Sequence, residues 1–192
     1  MPRKRASHVI QAWVVLLADD PEALSALAVA RERLAAARHL TGLRRMRVFE
    51  LTGPLPELAN LEDLLHRSTQ FYNPHKERCM VRSGVADPAP VESAERVVLI
   101  SERGGERRLA AERWWLHETG QVIEVREGVA WALAFEPRAD AAACVQELTV
   151  LRDRRHGLLS NPYSQEARIA GDRILLPWLT ASEASGTKGE TG

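Results

Sequence analysis

The densest polar chemistry in this sequence is the run Asn73-Pro74-His75-Lys76-Glu77-Arg78. An imidazole titrates near neutrality, so His75 with Glu77 two residues on could pass a proton as acid or base. Read as structure, the same residues are a solvated turn between a helix and a strand, and loops gather such residues routinely. No nucleophile, orienting carboxylate or glycine-rich phosphate loop stands beside them at a recognisable spacing. The histidines at 8, 39, 66, 75, 117 and 156 never fall at i,i+2 or i,i+4, which leaves a histidine metal site without support. No catalytic residue, metal or cofactor is therefore assigned. His75, Lys76, Glu77 and Arg78 stand as a candidate interaction loop.

The remaining polar and aromatic clusters read as structure. Gly104-Gly105 is a turn. Trp114-Trp115 is adjacent rather than spaced, so one ring packs inward and the other lies at an edge or interface. Arg152-Asp153-Arg154-Arg155-His156 and Leu43-Arg44-Arg45 read as solvated faces, able to meet an acidic partner or a phosphorylated ligand if both fall on one surface. Lys plus Arg and Asp plus Glu each total 26, and that zero balance argues against a nucleic-acid binder relying on bulk positive charge. The basic opening, Pro2-Arg3-Lys4-Arg5, reads as a solvated tail. No apolar stretch approaches the roughly 18 residues of a membrane helix, and the start lacks a signal-peptide layout. Cys79 and Cys144 carry no motif spacing, and each sits in an apolar pattern. The expectation is a soluble, reduced, cytoplasmic protein.

Positioning these residues requires a series of short elements. Residues 8–18 are rich in β-branched and aromatic types and apolar on both faces in their second half, which predicts a central strand. Asp20-Pro21-Glu22 is a helix start, and Gly42 is placed as the end of that helix. Residues 45–51 form a second strand, with Met46, Val48 and Glu50 on one face and Arg47, Phe49 and Leu51 on the other. A second helix carries Leu58, Leu61, Leu65 and Tyr72 and stops at Asn73-Pro74. Residues 78–82 are a third strand, and the stretch after it, with Gly84, Pro88 and Pro90, is a linker.

The second half repeats that order: strand 97–100, helix 107–117 closed by Gly120, and an extended stretch 121–136 in which Gly128 suggests a bulge or hairpin bend. A further helix is capped by Asp140, with Cys144, Leu148, Leu151 and Leu158 as its stripe. Asn161-Pro162 stops it, and strand 167–170 follows. Residues 173–178 are an apolar segment with no counterpart in the first half, and the composition from 181 onward cannot bury a core. The two Asn-Pro turns lie 88 positions apart, as do the opening apolar runs His8-Val9-Ile10 and Arg96-Val97-Val98. Two unrelated features sharing a period indicate an internal repeat. The chain divides as a tail 1–7, a first repeat 8–83, a linker 84–95, a second repeat 96–180 and a tail 181–192. Each repeat is a ferredoxin-like α+β arrangement of the βαββαβ type, with helices on one face of an antiparallel sheet. The other face would lie bare, and the other copy's sheet is expected to cover it, forming an intramolecular pseudo-dimer.

The stretch Leu158-Leu159-Ser160-Asn161-Pro162, followed by Gln165-Glu166, resembles the Leu-Leu-Ala-Asn-Pro signature of the PurS-type small subunit of formylglycinamide ribonucleotide amidotransferase. Tyr72-Asn73-Pro74 with Glu77 is a weaker echo. Val125-Arg126-Glu127-Gly128 is similar to that family's Val-Arg-x-Gly-Lys, with Val129 in place of the lysine, and Met46-Arg47 with Glu50-Leu51 matches its ends. The resemblance implies a non-catalytic subunit that bridges a glutaminase and a synthetase in purine biosynthesis, here as a tandem copy, with Asn73, Pro74, Asn161, Pro162 and Gly128 as structural turns. It implies glutaminase or synthetase subunits as partners, and self-association, rather than nucleic acid or membrane. Two other readings stand beside it: an RNA-binding pair of ferredoxin-like domains, which needs exposed aromatics on the sheet face, and an enzyme using the His75 loop.

Overall fold

The structure, a computed structural model, describes residues 8–104 and 106–179; the basic opening run, Gly105 and the final run from 180 lie outside the described residues. Its elements are β1 (His8–Leu16), α1 (Pro21–Arg33), β2 (Leu40–Gly53), α2 (Leu58–His66), β3 (Glu77–Arg82), β4 (Arg96–Glu102), β5 (Glu106–Arg107), α3 (Leu109–Thr119), β6 (Glu124–Phe135), α4 (Ala141–Thr149) and β7 (Gln165–Ile169). The strands make one antiparallel sheet in the order β3-β1-β2-β6-β4-β7, with β5 added to β6. The fold is α+β. Among the described residues no helix is long and apolar enough to cross a membrane.

Strand alternation sends alternate side chains to opposite faces. On one face, Ile10, Ala12, Phe49, Leu51 and Val125 meet Leu61 and Leu65 of α2 and Trp115 of α3. On that same face, Leu43, Val98, Ile100, Trp131 and Leu133 meet Ala23 and Ala30 of α1 and Val145 and Leu148 of α4. All four helices therefore lie on one side. β1 lies between β2 and β3 and is buried on both faces, as its composition predicts, with Ile10 and Ala12 toward the helices and Trp13 toward Trp178. The two faces expected of β2 are also observed.

Several boundaries differ from expectation. α1 begins as predicted, with Asp20 Oδ1 accepting from the Glu22 amide at 2.9 Å. It ends at Arg33, however, and not at Gly42. The chain turns extended at Leu34, makes a 3-10 turn at Ala35–Ala37, and enters β2 at Leu40. Pairing of Leu40 with Phe135 draws residues 40–43 into the sheet, and Gly42 falls at a register shift rather than a helix cap. α2 stops at His66; Tyr72 is buried from a turn in which Ser68 accepts from the Phe71 amide at 3.2 Å. α4 stops at Thr149, so neither Asn-Pro pair terminates a helix. Of its expected stripe, Leu148 is fully buried, whereas Leu151 lies beyond the helix and is exposed. Gly120 does close α3, in the left-handed conformation at φ 68° that glycine adopts without strain.

The largest correction concerns how the halves meet. Their sheets do not stack; β2 and β6 pair edge to edge, from Leu40↔Phe135 to Thr52↔Glu124. Two strands of 14 and 12 residues would otherwise expose a long row of unpaired amides and carbonyls. Covering the non-helical face then falls to residues 84–95 and 170–179. Trp178 and Leu179 are buried against Trp13, Met46, Val48, Leu99 and Ala130, with Ala89, Val91 and Ile174 at the margin. The expected linker is thus packed structure, held further by Arg44 Nε on Glu95 at 2.7 Å. Gly128 makes no bulge or bend: β6 runs through it in register with Val48. A Cβ there would meet Leu179 Cδ2 at 2.5 Å and the Ile100 carbonyl at 3.0 Å, so close approach accounts for the glycine.

A buried polar network fastens this cover. Arg82 Nη1 donates to Gln11 Oε1 at 2.6 Å, and its other nitrogens reach the carbonyls of Asp87 at 2.9 Å and Ile174 at 3.2 Å. Gln11 Nε2 donates to Glu50 at 2.8 Å and to the Leu175 carbonyl at 2.9 Å. The Trp178 amide donates to the same Glu50 carboxylate, and its ring stacks on Trp13 at 6.2 Å. Polar groups this deep are costly unless paired, which ties the position of residues 174–178 to the sheet. Trp178→Ala is expected to cost about 3–5 kcal/mol, the range for removing a buried large aromatic, read as a lowered urea midpoint.

Candidate functional site

Both Asn-Pro pairs open the same turn. At Asn73 the side-chain oxygen accepts from the His75 amide at 3.0 Å, and the carbonyl accepts from the Lys76 and Glu77 amides at 2.9 and 2.8 Å. The Asn73 amide donates to Glu77 Oε2 at 2.7 Å. At Asn161 the side-chain oxygen accepts from the Tyr163 amide at 3.0 Å, and the carbonyl from Ser164 and Gln165 at 3.3 and 2.8 Å. The Asn161 amide donates to Gln165 Oε1 at 3.0 Å. Asparagine starts such turns by mimicking a backbone acceptor, and Pro74 or Pro162 fits the next position because its φ is already fixed. Neither Asn-Pro pair is the helix stop expected from the sequence, and Glu77 and Gln165, named there for other reasons, are the residues that close each turn. Both lie four positions after the asparagine, which is the signal that could have found them.

The turn leaves His75, Lys76 and Arg78 exposed and Glu77 half-buried. Glu77 is engaged by Asn73 and by Arg47, at 2.9 Å, which takes away the carboxylate that an acid–base role for His75 would use. Gly128 lies elsewhere, at the centre of the sheet.

Arg47, the partner of Glu77, lines a cleft of about 350 Å³ together with Glu22, Arg45, Arg108 and Glu127 among others. Arg45 reaches Asp20 at 2.9 Å and Glu22 at 2.7 Å. Arg47 reaches Glu77, donates to the Phe71 carbonyl at 2.9 Å and lies over the Phe49 ring at 5.3 Å; Glu127 is 3.6 Å away. Arg108 reaches Glu127 at 3.1 Å. Leu43-Arg44-Arg45 is consequently no solvated face: Leu43 is buried and both arginines are ion-paired. Each arginine of the cleft already holds a carboxylate, so an anion entering it would have to displace one. The arrangement braces β2 against β6 and α3.

A second concavity, about 410 Å³, opens between α2 and β3 and is lined by Glu62, Asp63, His66, Tyr72, Cys79 and Val81. His66 Nδ1 and the Tyr72 hydroxyl lie 3.0 Å apart. Burial, reinforced by Glu62, pushes the Cys79 thiol up to about 12, leaving it protonated at neutral pH and without nucleophilic character. Burial likewise raises Tyr72. Among the described residues no group of three His, Cys, Asp or Glu side chains is placed to hold a metal ion.

The aromatic residues divide as their adjacency predicts: Trp115 is buried and Trp114 partly so, both edge-on to Phe71. On the non-helical sheet face, Trp13 and Trp178 are buried, so they offer no open platform for base stacking. Comparison with protein families, with curated proteins and with solved structures finds no match.

Burial alone would raise Asp20, but the Arg45 guanidinium and the Glu22 amide outweigh it and hold the carboxyl below its ordinary 3.8. A lowered folded-state value means the stabilisation is complete above 3.8 and is lost as the pH falls through the lower value. Arg45→Met removes the guanidinium and keeps the helix cap. Its urea midpoint is expected to fall less than that of the parent protein between about pH 6 and about pH 3.

Proposed function

We propose that this chain is a duplicated α+β interaction module without chemistry of its own, a PurS-like bridging subunit holding a glutaminase against a synthetase of the formylglycinamide ribonucleotide amidotransferase type. The observation carrying the duplication is the strand register. An offset of 88 takes β1 to β4, and an offset of 80 takes β2 to β6. Under those offsets Ile10↔Leu51 becomes Val98↔Trp131, and Ala12↔Phe49 becomes Ile100↔Val129, all of them observed pairs. The offset of 80 also turns the β2–β6 pairing onto itself: Arg47↔Val129 becomes Glu127↔Phe49, with Val48↔Gly128 on the axis. Any antiparallel ladder maps onto itself in this way; what fits an intramolecular two-fold is that Val48↔Gly128, the pair related by the offset of 80, falls near the middle of the ladder. The offset of 88 further carries Pro21, which opens α1, onto Leu109, which opens α3, and Asn73 onto Asn161.

A bridging role fits this geometry. Equivalent turns border the strands at opposite ends of one sheet but display different side chains, His75 and Lys76 at one and the fully outward Tyr163 at the other. Two equivalent platforms with different chemistry suit two different partners. The clefts supply neither an activated thiol nor a free arginine for an anion, which favours binding over catalysis.

Affinity purification of the tagged chain from the organism that encodes it is expected to recover a glutaminase or amidotransferase in stoichiometric amount. Recovery should weaken when His75 and Lys76 are both replaced by Ala. A monomer that brings down neither enzyme overturns the bridging reading.

A further inference from the structure

We infer that the groove between β3 and α2 takes an extended, lysine-bearing segment of a partner protein, which pairs with β3 as an added strand. The inference rests on reading the chain as an interaction module but not on the purine-pathway partners.

β3 ends the sheet, with β1 on one side and no described strand on the other. The Leu17 amide donates to the Lys76 carbonyl at 2.9 Å, which fixes the phase of the β1–β3 ladder. Hydrogen-bonded pairs alternate in an antiparallel ladder, so Arg78, Met80 and Arg82 bond to β1. The amides and carbonyls of Cys79 and Val81 consequently point away from β1, toward the open side. These are the two β3 residues whose side chains line the groove. An edge strand beside a helix, with a side-chain pocket between them, is the geometry used by proteins that bind peptides through strand addition.

The charge of the groove selects the occupant. Glu62 and Asp63 stand exposed on its rim; Asp63 has Arg67 at 3.9 Å, and the His66–Tyr72 pair lies alongside. A lysine can lay its methylenes along Val81 and Leu65 and its ammonium against the two carboxylates. Residues of the incoming strand that face the other way meet Met80 and Arg78, which suits an apolar residue followed by an acidic one.

The other end of the sheet is built differently. There the chain between α4 and Asn161 is longer and folds back on the helix, with the Leu158 and Ser160 amides donating to the Leu148 and Thr149 carbonyls at 2.8 and 2.9 Å. Leu159 is buried in the space that this path fills. The groove belongs to the first half, where the shorter segment from Arg67 to Tyr72 leaves it open.

The probe is a fluorescein-labelled peptide, acetyl-Thr-Lys-Val-Lys-Glu-amide, titrated with the full chain and read by anisotropy. Saturable binding that weakens with salt is expected. Glu62→Lys together with Asp63→Asn should weaken it about tenfold or more, the sum expected for two exposed ion pairs plus a reversal, with an unchanged circular dichroism spectrum. Methylating the backbone nitrogens of the two peptide lysines should abolish it, because those amides would face Cys79 and Val81. Binding unaffected by the rim substitutions or by the methylation overturns the inference, as does no binding at all. A dimer that occupies the β3 edge and excludes the peptide also overturns it, since the occupant would then be a second copy. If glutaminase recovery survives Glu62→Lys and Asp63→Asn while the peptide fails to bind the parent protein, the groove reading falls and the bridging reading stands.

Discussion

The antiparallel seam between β2 and β6 is the interaction on which the rest of the molecule depends. It runs almost the full length of both strands and satisfies backbone groups that would otherwise form two long unpaired edges. Joining the halves side by side fixes every helix on one face, because the odd-numbered residues of β2 and β6 share that face. It also creates a problem that stacked sheets would not have: the opposite face, with Trp13, Met46, Val48 and Leu99, has no second layer of its own. Residues 174–179 solve it. They are held by Glu50, Gln11 and Arg82 rather than by strand pairing, which makes the buried polar network a consequence of the seam.

The seam has an electrostatic counterpart on the helical face. Alternation along β2 brings Arg45 and Arg47 up among helices that are otherwise apolar there, and Glu127 on β6 faces them. Half-buried arginines lose part of their hydration, so each is met by carboxylates from a different element: Asp20 and Glu22 at the start of α1, Glu77 at the start of β3, and Glu127 itself. Glu77 thus closes its own turn and anchors that turn to the middle of the sheet. The exposed residues beside it, His75, Lys76 and Arg78, are presented by a braced loop rather than a free one.

Much of this could be read from the chain alone wherever a local rule decided the outcome. Asp20-Pro21-Glu22, Asp140 and Gly120 are capping signals set by backbone chemistry within one turn, and each sits where the residues said it would. The face assignment of Met46 to Leu51 follows from strand alternation and also held. What failed was decided at long range. Residues 40–43 look like a helix end until Phe135 is available to pair with Leu40, and Gly128 looks like a bulge until Leu179 is known to lie against it. Tyr72 and Leu158 continue an apolar rhythm of helical period, but Tyr72 is buried and Leu158 half-buried from segments beyond the helices, since periodicity reports burial without reporting the path that achieves it. The candidate site suffered most, because its partners Arg47 and Glu77 are 30 residues apart and meet only through the β2–β1–β3 order.

The differences between the halves carry more information than their likeness. Where the two halves are alike the constraint is folding: the Asn-Pro turn has the same hydrogen bonds in both places. Gln165 stands where the first turn has Glu77 and closes its turn in the same way, but it bonds Glu102 instead of an arginine. The segment after α2 is short and that after α4 is long, so one end of the sheet has a groove beside its edge strand and the other has Leu159 folded in. The Asn-Pro turn tolerates either arrangement, because none of its own hydrogen bonds reaches into that segment. A surface that differs between the two ends while the surrounding hydrogen bonds do not is one the fold leaves free.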